Sequence, residues 1–320
     1  MHTCTGKVEL HCHLLGVISP EILDRIRRNG DPILVDPENL RAAYPVLGAI
    51  GFTRWLEILG PYQRATPGYM RPILGAHITE LIRQNVVYAE IMISPTMFSQ
   101  DLNTMLKEFE QWREWTLDLE GGRIQVEYIM VVPRSLHQDF VDRDTLKFIE
   151  LHRAGLIVGV AVVGLEDGKS IERFAHALNT WREAGLGIEI HAGEHTSSGS
   201  IRDTLKYGYP NRIGHGLSIF DDAELVDDVR QRNIHIEFCP SSNLCTGAVS
   251  DLRDHPLKRA LDLGVSFSIN TDDPGAFECS VCSEHQLSQD AFGFTPDDFK
   301  TIYTQSLAAR FQPRLRHLHT

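Results

Sequence analysis

VELHCHL, residues 8–14, is a short apolar run carrying two histidines, His11 and His13, set two positions apart. The side chains of a strand alternate with a period of two, so both imidazoles lie on one side of it. Seven further runs of similar character follow along the chain. They are VVYAEIMIS (86–94), IQVEYIMVV (124–132), IVGVAVVG (157–164), GIEIHAGE (187–194), NRIGHG (211–216), IHIEFCPSSN (234–243) and VSFSINTDD (265–273). Most are rich in Val and Ile and nearly continuous in apolar character, as strands covered on both faces of a parallel sheet are. Helical patterns lie between them. Residues 102–119 align Leu102, Met105, Leu106, Phe109 and Trp112 on one face, and 169–183 align Ile171, Phe174, Ala175, Leu178 and Trp181. Residues 221–232 open on Asp221 and Asp222, good helix starters, and Gly264 stops a short helix over 255–263. Eight β-α units in order predict an α/β fold, a (β/α)8 TIM barrel forming one domain over residues 1–320, with its site at the C-terminal ends of the strands. The gap between strands 1 and 2, roughly residues 17–85, predicts a helical insertion over the barrel mouth.

The 320 residues suit a single barrel of this kind. With 43 acidic against 31 basic residues the net charge is −12, which argues against a nucleic-acid partner and against adhesion to anionic membranes. No run approaches the ~18 apolar residues of a membrane span, and the N-terminus lacks the apolar centre of a signal peptide. A cytoplasmic location is therefore expected. Six sparse cysteines (Cys4, Cys12, Cys239, Cys245, Cys279 and Cys282) read as reduced thiols. Cys279 and Cys282 form a lone CxxC, too little for a structural zinc site.

The chemistry is expected where charged or imidazole groups interrupt apolar strands, since burying them without a partner is costly. Besides the HxH pair, His191 falls in HAGE at the end of strand 5 and His215 in RIGHG at the end of strand 6. Asp272 and Asp273 fall in NTDDP at the end of strand 8. A shared metal ion supplies the missing partner. Zinc accepts imidazole nitrogen and carboxylate oxygen, and a catalytic zinc keeps one position for water. His11, His13, His191 and Asp272 give four protein ligands to one zinc per chain, and the fifth position leaves a water that ionises near neutral pH. Glu194, three residues after His191, stands as a proton donor. His215 fits either a ligand or a base. His195 follows Glu194 and reads as a supporting group. His77, His152, His176 and His255 read as surface residues, and His317 and His319 as part of a solvated basic helix end, RLRHLH.

Taken in order, VELHCHL, HAGE, RIGHG and NTDDP, together with CPSSN (239–243) and ISP (93–95), resemble the adenosine deaminase family of amidohydrolase barrels. The resemblance runs from residue 7 to about 310. It implies hydrolytic replacement of the 6-amino group of an adenine nucleoside, adenosine or a 5′-modified adenosine, by oxygen, with release of ammonia. It implies zinc on His11, His13, His191 and Asp272, and makes Glu194 the acid that protonates N1 of the purine. His215 becomes the base on the attacking water, Asp273 the partner of N7, and Gly164 the residue whose amide meets N3. Asp272 thus counts both as ligand and among the catalytic groups. Such a site needs an acid, a base and a Lewis acid, and all three are present.

Three departures bear on substrate. HLLG places Leu15 where the family carries an acid that receives the ribose 5′-hydroxyl. Met92 stands for the family's arginine on strand 2, and Ala161 for an aspartate on strand 4. Leu15 is accordingly expected to line the 5′ pocket and to favour 5′-modified adenosines. Adenine itself, or another purine-type amine, is the alternative substrate. A binuclear amidohydrolase would need a bridging lysine on strand 4, and IVGVAVVG has none. The unrelated zinc deaminase fold carries H-x-E paired with P-C-x-x-C, and that paired signature is absent. A barrel that binds nucleoside without turnover is disfavoured because the ligands and Glu194 are all intact.

Overall fold

The computed structural model describes residues 6–166 and 168–311. Cys4 and the RLRHLH tail with His317 and His319 lie outside the described residues. Eight strands run β1 (Lys7–His13), β2 (Val86–Ile93), β3 (Gln125–Pro133), β4 (Gly159–Val163), β5 (Gly187–Ala192), β6 (Arg212–His215), β7 (His235–Phe238) and β8 (Phe267–Ile269). They belong to one eight-stranded sheet in chain order with helices between, the plan of a (β/α)8 barrel. The chain divides into two compact units. The first takes residues 6–126, 239–255 and 269–299, the second 127–238, 256–268 and 300–311.

In the first unit β1 pairs in parallel with β2. The stretch between them is helical, as expected: α1 (Pro20–Arg28), α2 (Pro37–Arg41), α3 (Gly48–Ile58) and α4 (Pro67–Arg83). Ser19 caps α1 by accepting from the Ile22 amide, and Pro20 takes the first helical position, where its missing N–H costs nothing. The insertion is tied to the chain after β8 by the Tyr44 hydroxyl, which donates to the Gly275 carbonyl. After β2, α5 (Leu102–Glu120) is capped by Asp101 and ended by Gly121 at φ 51°. It buries Met105, Phe109 and Trp112.

In the second unit β3 to β7 are neighbours in parallel, and every residue of β4 is buried. The helices are α6 (Gln138–Arg153), α7 (Ala175–Ala184), α8 (Ser198–Tyr207) and α9 (Ala223–Gln231). At the start of β4 and β5, Gly159 and Gly187 leave room for the Phe311 ring, over which the Arg212 guanidinium lies at 3.6 Å. Arg212 also pairs with Glu237 at 2.5 Å, so the buried cation has a buried counter-charge. Trp181 on α7 is fully buried against Phe148 of α6, with ring centroids 5.7 Å apart, and its Nε1 donates to the Thr145 carbonyl. Trp181→Ala is expected to cost about 3–5 kcal/mol, the usual range for emptying such a site. Urea unfolding measures it, and a loss below ~1 kcal/mol would contradict this packing.

Several local expectations are corrected. CPSSN does not extend strand 7: β7 stops at Phe238, and Pro240 opens α10 (Pro240–Cys245), again as a proline at the first turn. β8 keeps only three of the nine residues assigned to it; beyond it Asp272, at φ 61°, makes an isolated parallel bridge with Cys12 of β1. The helix over 169–183 begins as a short 3-10 turn, Ile171–Phe174, before α7. Asp222 alone caps α9, accepting from Glu224 and Leu225, while Asp221 ends a separate short turn. The helix ahead of Gly264 is α11 (Leu257–Asp262). His77, His152 and His255 are buried rather than on the surface. Each has a polar neighbour there: Cys12 Sγ for His77, the Ile157 carbonyl for His152 and Asn243 Oδ1 for His255. His176 is exposed. Cys279 and Cys282 donate through Sγ to the Thr271 and Gln84 carbonyls. Among the described residues no helix is long and apolar enough to cross a membrane. The last helices among the described residues are α12 (Val281–Phe292) and α13 (Pro296–Ala308).

Candidate active site

The first unit brings together His11, His13 and Asp272. On β1 the two imidazoles share a side, with ring centroids 5.5 Å apart. Asp272 is fixed to β1 through its backbone: its amide donates to the His11 carbonyl and its carbonyl accepts from the His13 amide, each at 2.9 Å. Its Oδ1 then stands 3.5 Å from His11 Nε2 and 3.4 Å from His13 Nε2. Charge-assisted hydrogen bonds run shorter, at ~2.7–2.9 Å. Two donors each ~2.0–2.1 Å from one ion, at the ~90–120° ligand angles of a four- or five-coordinate site, would lie about 2.8–3.6 Å apart, so the spacing suits ligands of a common metal. The Ser242 hydroxyl donates to the other oxygen, Oδ2, at 2.6 Å and orients the carboxylate. Ser242 is itself placed by α10, whose first turn is held by Glu284: the Ser241 amide donates to Glu284 Oε2 at 3.0 Å. Burial pushes Glu284 up to about 7.

Glu9 extends the β1 pattern to Glu-x-His-x-His on one side. Its carboxylate accepts from the Thr271 hydroxyl at 2.8 Å and the His11 amide at 3.2 Å, so it links β1 to the segment after β8. Burial pushes Glu9 up to about 8, against those hydrogen bonds. Asp273, next to Asp272, is buried against Gly16, where a Cβ would collide with its carboxylate. Leu15, beside Gly16, is half-buried in the turn after β1.

The second unit brings together His191, His215 and Glu194. His191 lies near the end of β5 and His215 ends β6, their rings in edge contact with centroids 4.9 Å apart. His215 takes φ 62°, a conformation a non-glycine residue adopts only at a cost, and the same holds for Asp272. Two of the expected functional residues are thus held in left-handed backbone. Glu194 faces His215 Nε2 at 3.7 Å through Oε2 and His195 Nε2 at 3.5 Å through Oε1. His191 Nε2 is 3.6 Å from Glu189 Oε1, and Arg134 donates to the His191 carbonyl. Gly164 follows β4 at φ 93°, where an added Cβ would meet nothing within 4 Å. Met92 and Ala161 are buried in their strands.

Sequence reasoning missed three supporting residues: Glu9, Ser242 and Glu284. Only Glu9 carried a readable signal, its place two before His11. The donor set itself, imidazoles with a carboxylate whose second oxygen is hydrogen-bonded, fits zinc in preference to the all-oxygen surroundings of magnesium or calcium.

The pattern of the family described as Adenosine deaminase matches residues 6–318. An adenine deaminase of Sinorhizobium medicae is 31% identical over 312 residues, covering 95% of this chain and 94% of that protein. The adenosine deaminase of Bos taurus is 28% identical over 332 residues, covering 96% and 90%. Among solved structures, an adenine deaminase from Arthrobacter aurescens superposes with a TM-score of 0.82 at 24% identity, over 98% of this chain and 96% of that one.

Proposed function

The chain belongs to the adenosine deaminase family, a family of hydrolytic deaminases, and from that premise we propose that it removes the 6-amino group of an adenine nucleoside modified at, or lacking, its 5′-hydroxyl. It acts as one domain on a small-molecule purine. The observation that carries the reaction is the position of Asp272 Oδ1, 3.5 and 3.4 Å from the His11 and His13 Nε2 atoms. In this reading His191 completes the zinc ligands. When bound, zinc supplies the Lewis acidity that brings the pKa of a water close to neutrality. His215 takes a proton from the water that attacks C6. Glu194 gives a proton to N1 as C6 becomes tetrahedral; the proton held by His215 then passes to the amine, which departs as ammonia while the C6 hydroxyl returns a proton to Glu194 and becomes the carbonyl. Asp273 hydrogen-bonds N7 and the Gly164 amide meets N3, which fixes the ring for attack.

The nucleoside choice rests on Leu15. A 5′-hydroxyl set against an apolar side chain without a partner loses about 1–3 kcal/mol. An apolar 5′ group is favoured instead by burial at ~25 cal/mol per Å². Adenine is the second reading, favoured by the 31% identical relative that bears that activity's name.

Ammonia release from adenine, adenosine, 5′-deoxyadenosine and 5′-methylthioadenosine tests both levels. A 5′-deoxy or 5′-substituted nucleoside should have the highest kcat/KM, and Leu15→Asp should shift the ratio towards adenosine by roughly tenfold or more. Adenosine as the best substrate with an unchanged ranking in the variant would refute the Leu15 assignment. Adenine as the best substrate would establish the second reading. No turnover of any 6-aminopurine by zinc-replete protein would overturn the reaction itself.

A further inference from the structure

Resting on the deaminase reading above, we propose that Glu166 is the positioning residue for Glu194, clamping the backbone that presents this acid to the purine ring. Glu166 lies in the loop after β4, two residues past Gly164. Its carboxylate accepts four hydrogen bonds, all from the segment after β5. Oε1 accepts from the Glu194 amide at 2.9 Å. Oε2 accepts from the Gly193 amide at 3.0 Å, the Thr196 hydroxyl at 2.6 Å and the Ser200 hydroxyl in the first turn of α8. Two successive main-chain N–H groups, one of them the acid's own, thus converge on a single carboxylate.

The turn they define is narrowly specified. Gly193 sits at φ 70°, and a Cβ there would strike Ile201 and Ser218. With Gly193 fixing the bend and Glu166 fixing its amides, the Glu194 side chain leaves the backbone in one direction, towards His215. All four partners of Glu166 belong to residues 193–200, so its carboxylate serves this one segment. Burial by itself would raise its pKa, yet the bonds from Ser200, Thr196, Gly193 and Glu194 outweigh it and hold the carboxyl below its usual range. The clamp therefore stays ionised at neutral pH.

Glutamine is the informative replacement. A hydroxyl can rotate to accept from the new NH₂, but a backbone N–H cannot. Since one amide meets each carboxylate oxygen, either orientation of Glu166→Gln sets NH₂ against a fixed N–H. Aspartate keeps the charge but is one methylene shorter.

The test uses the full zinc-replete chain. Glu166→Gln and Glu166→Ala should lower kcat by about 30-fold, within the ~10²-fold that a misplacement of ~1 Å can cost. KM should stay within about threefold and zinc content should not change. Glu166→Asp should recover part of the loss. In a Glu194→Gln background, Glu166→Ala should cost nothing further, because the group it positions is already disabled. Hydrogen exchange at the Gly193 and Glu194 amides should be faster in Glu166→Gln. A kcat within threefold of wild type for Glu166→Gln, or a full additional loss in the double variant, would overturn the proposal. If the wild type releases no ammonia from any 6-aminopurine, the deaminase reading fails by itself. The exchange measurement still decides the clamp, and unchanged exchange rejects it.

Discussion

Glu194→Gln is expected to lower kcat by about 10²- to 10⁴-fold while leaving fold, zinc content and KM close to wild type. The lower figure is the usual scale for a lost general acid, and the upper applies where the acid carries the whole proton transfer. Glutamine keeps the size of the side chain and can still hydrogen-bond N1, but it has no proton to give. Glu194 is not among the proposed ligands, so the metal should remain. The loss should fall on kcat, because the proton matters most as the ring becomes tetrahedral. Steady-state kinetics with zinc analysis and thermal melting on the same samples checks this. Turnover within fivefold of wild type in a zinc-replete, folded variant would remove Glu194 from the reaction, and with it the catalytic reason for the Glu166 contacts.

Loss of a ligand should remove the Lewis acid altogether. The protein should carry about one zinc, held by His11, His13, His191 and Asp272, and Asp272→Ala should leave it mostly metal-free. Lewis-acid stabilisation of developing charge amounts to several kcal/mol. At ~1.36 kcal/mol per tenfold in rate, activity should fall by about 10³-fold or more. Chelation of the wild type should do the same, reversed by added zinc. Because the Asp272 backbone bonds to β1 survive the substitution, the fold should persist, and circular dichroism separates loss of metal from loss of structure. Full activity in exhaustively demetallated protein would refute the assignment. Two tightly bound ions per active chain would refute the mononuclear site.

The strand rhythm was readable because each strand is a short apolar run bounded by polar residues, a pattern that survives without tertiary information. So were the histidines and Asp272, since an ionisable group inside such a run demands a partner. The ends of strands were not readable. Phe238-Cys239-Pro240 continues an apolar run, and only the proline's role at the first turn of α10 separates strand from helix. The buried histidines were misplaced for a related reason. His77 shares the buried side of α4 with Ile73, Leu74 and Leu81, where a polar residue type at an apolar position gave no sign of its burial. Glu166, Ser242 and Glu284 were invisible in another way. Their partners lie 28 residues off for the Glu194 amide, 30 for Asp272 and 43 for Ser241. A polar side chain in a loop or on a helix has no periodicity that announces such a contact.

The contact between Gly16 and Asp273 sets limits on how the enzyme can be retooled. Any side chain at position 16 would displace the carboxylate beside it, so a variant library that randomises this position would consist almost wholly of inactive clones. Leu15, one residue away, already carries a side chain and is only half-buried. Selection for new nucleosides should therefore yield its productive variants at position 15 with glycine retained at 16. Natural divergence in this segment should follow the same division, with a permissive site directly beside a nearly immutable one.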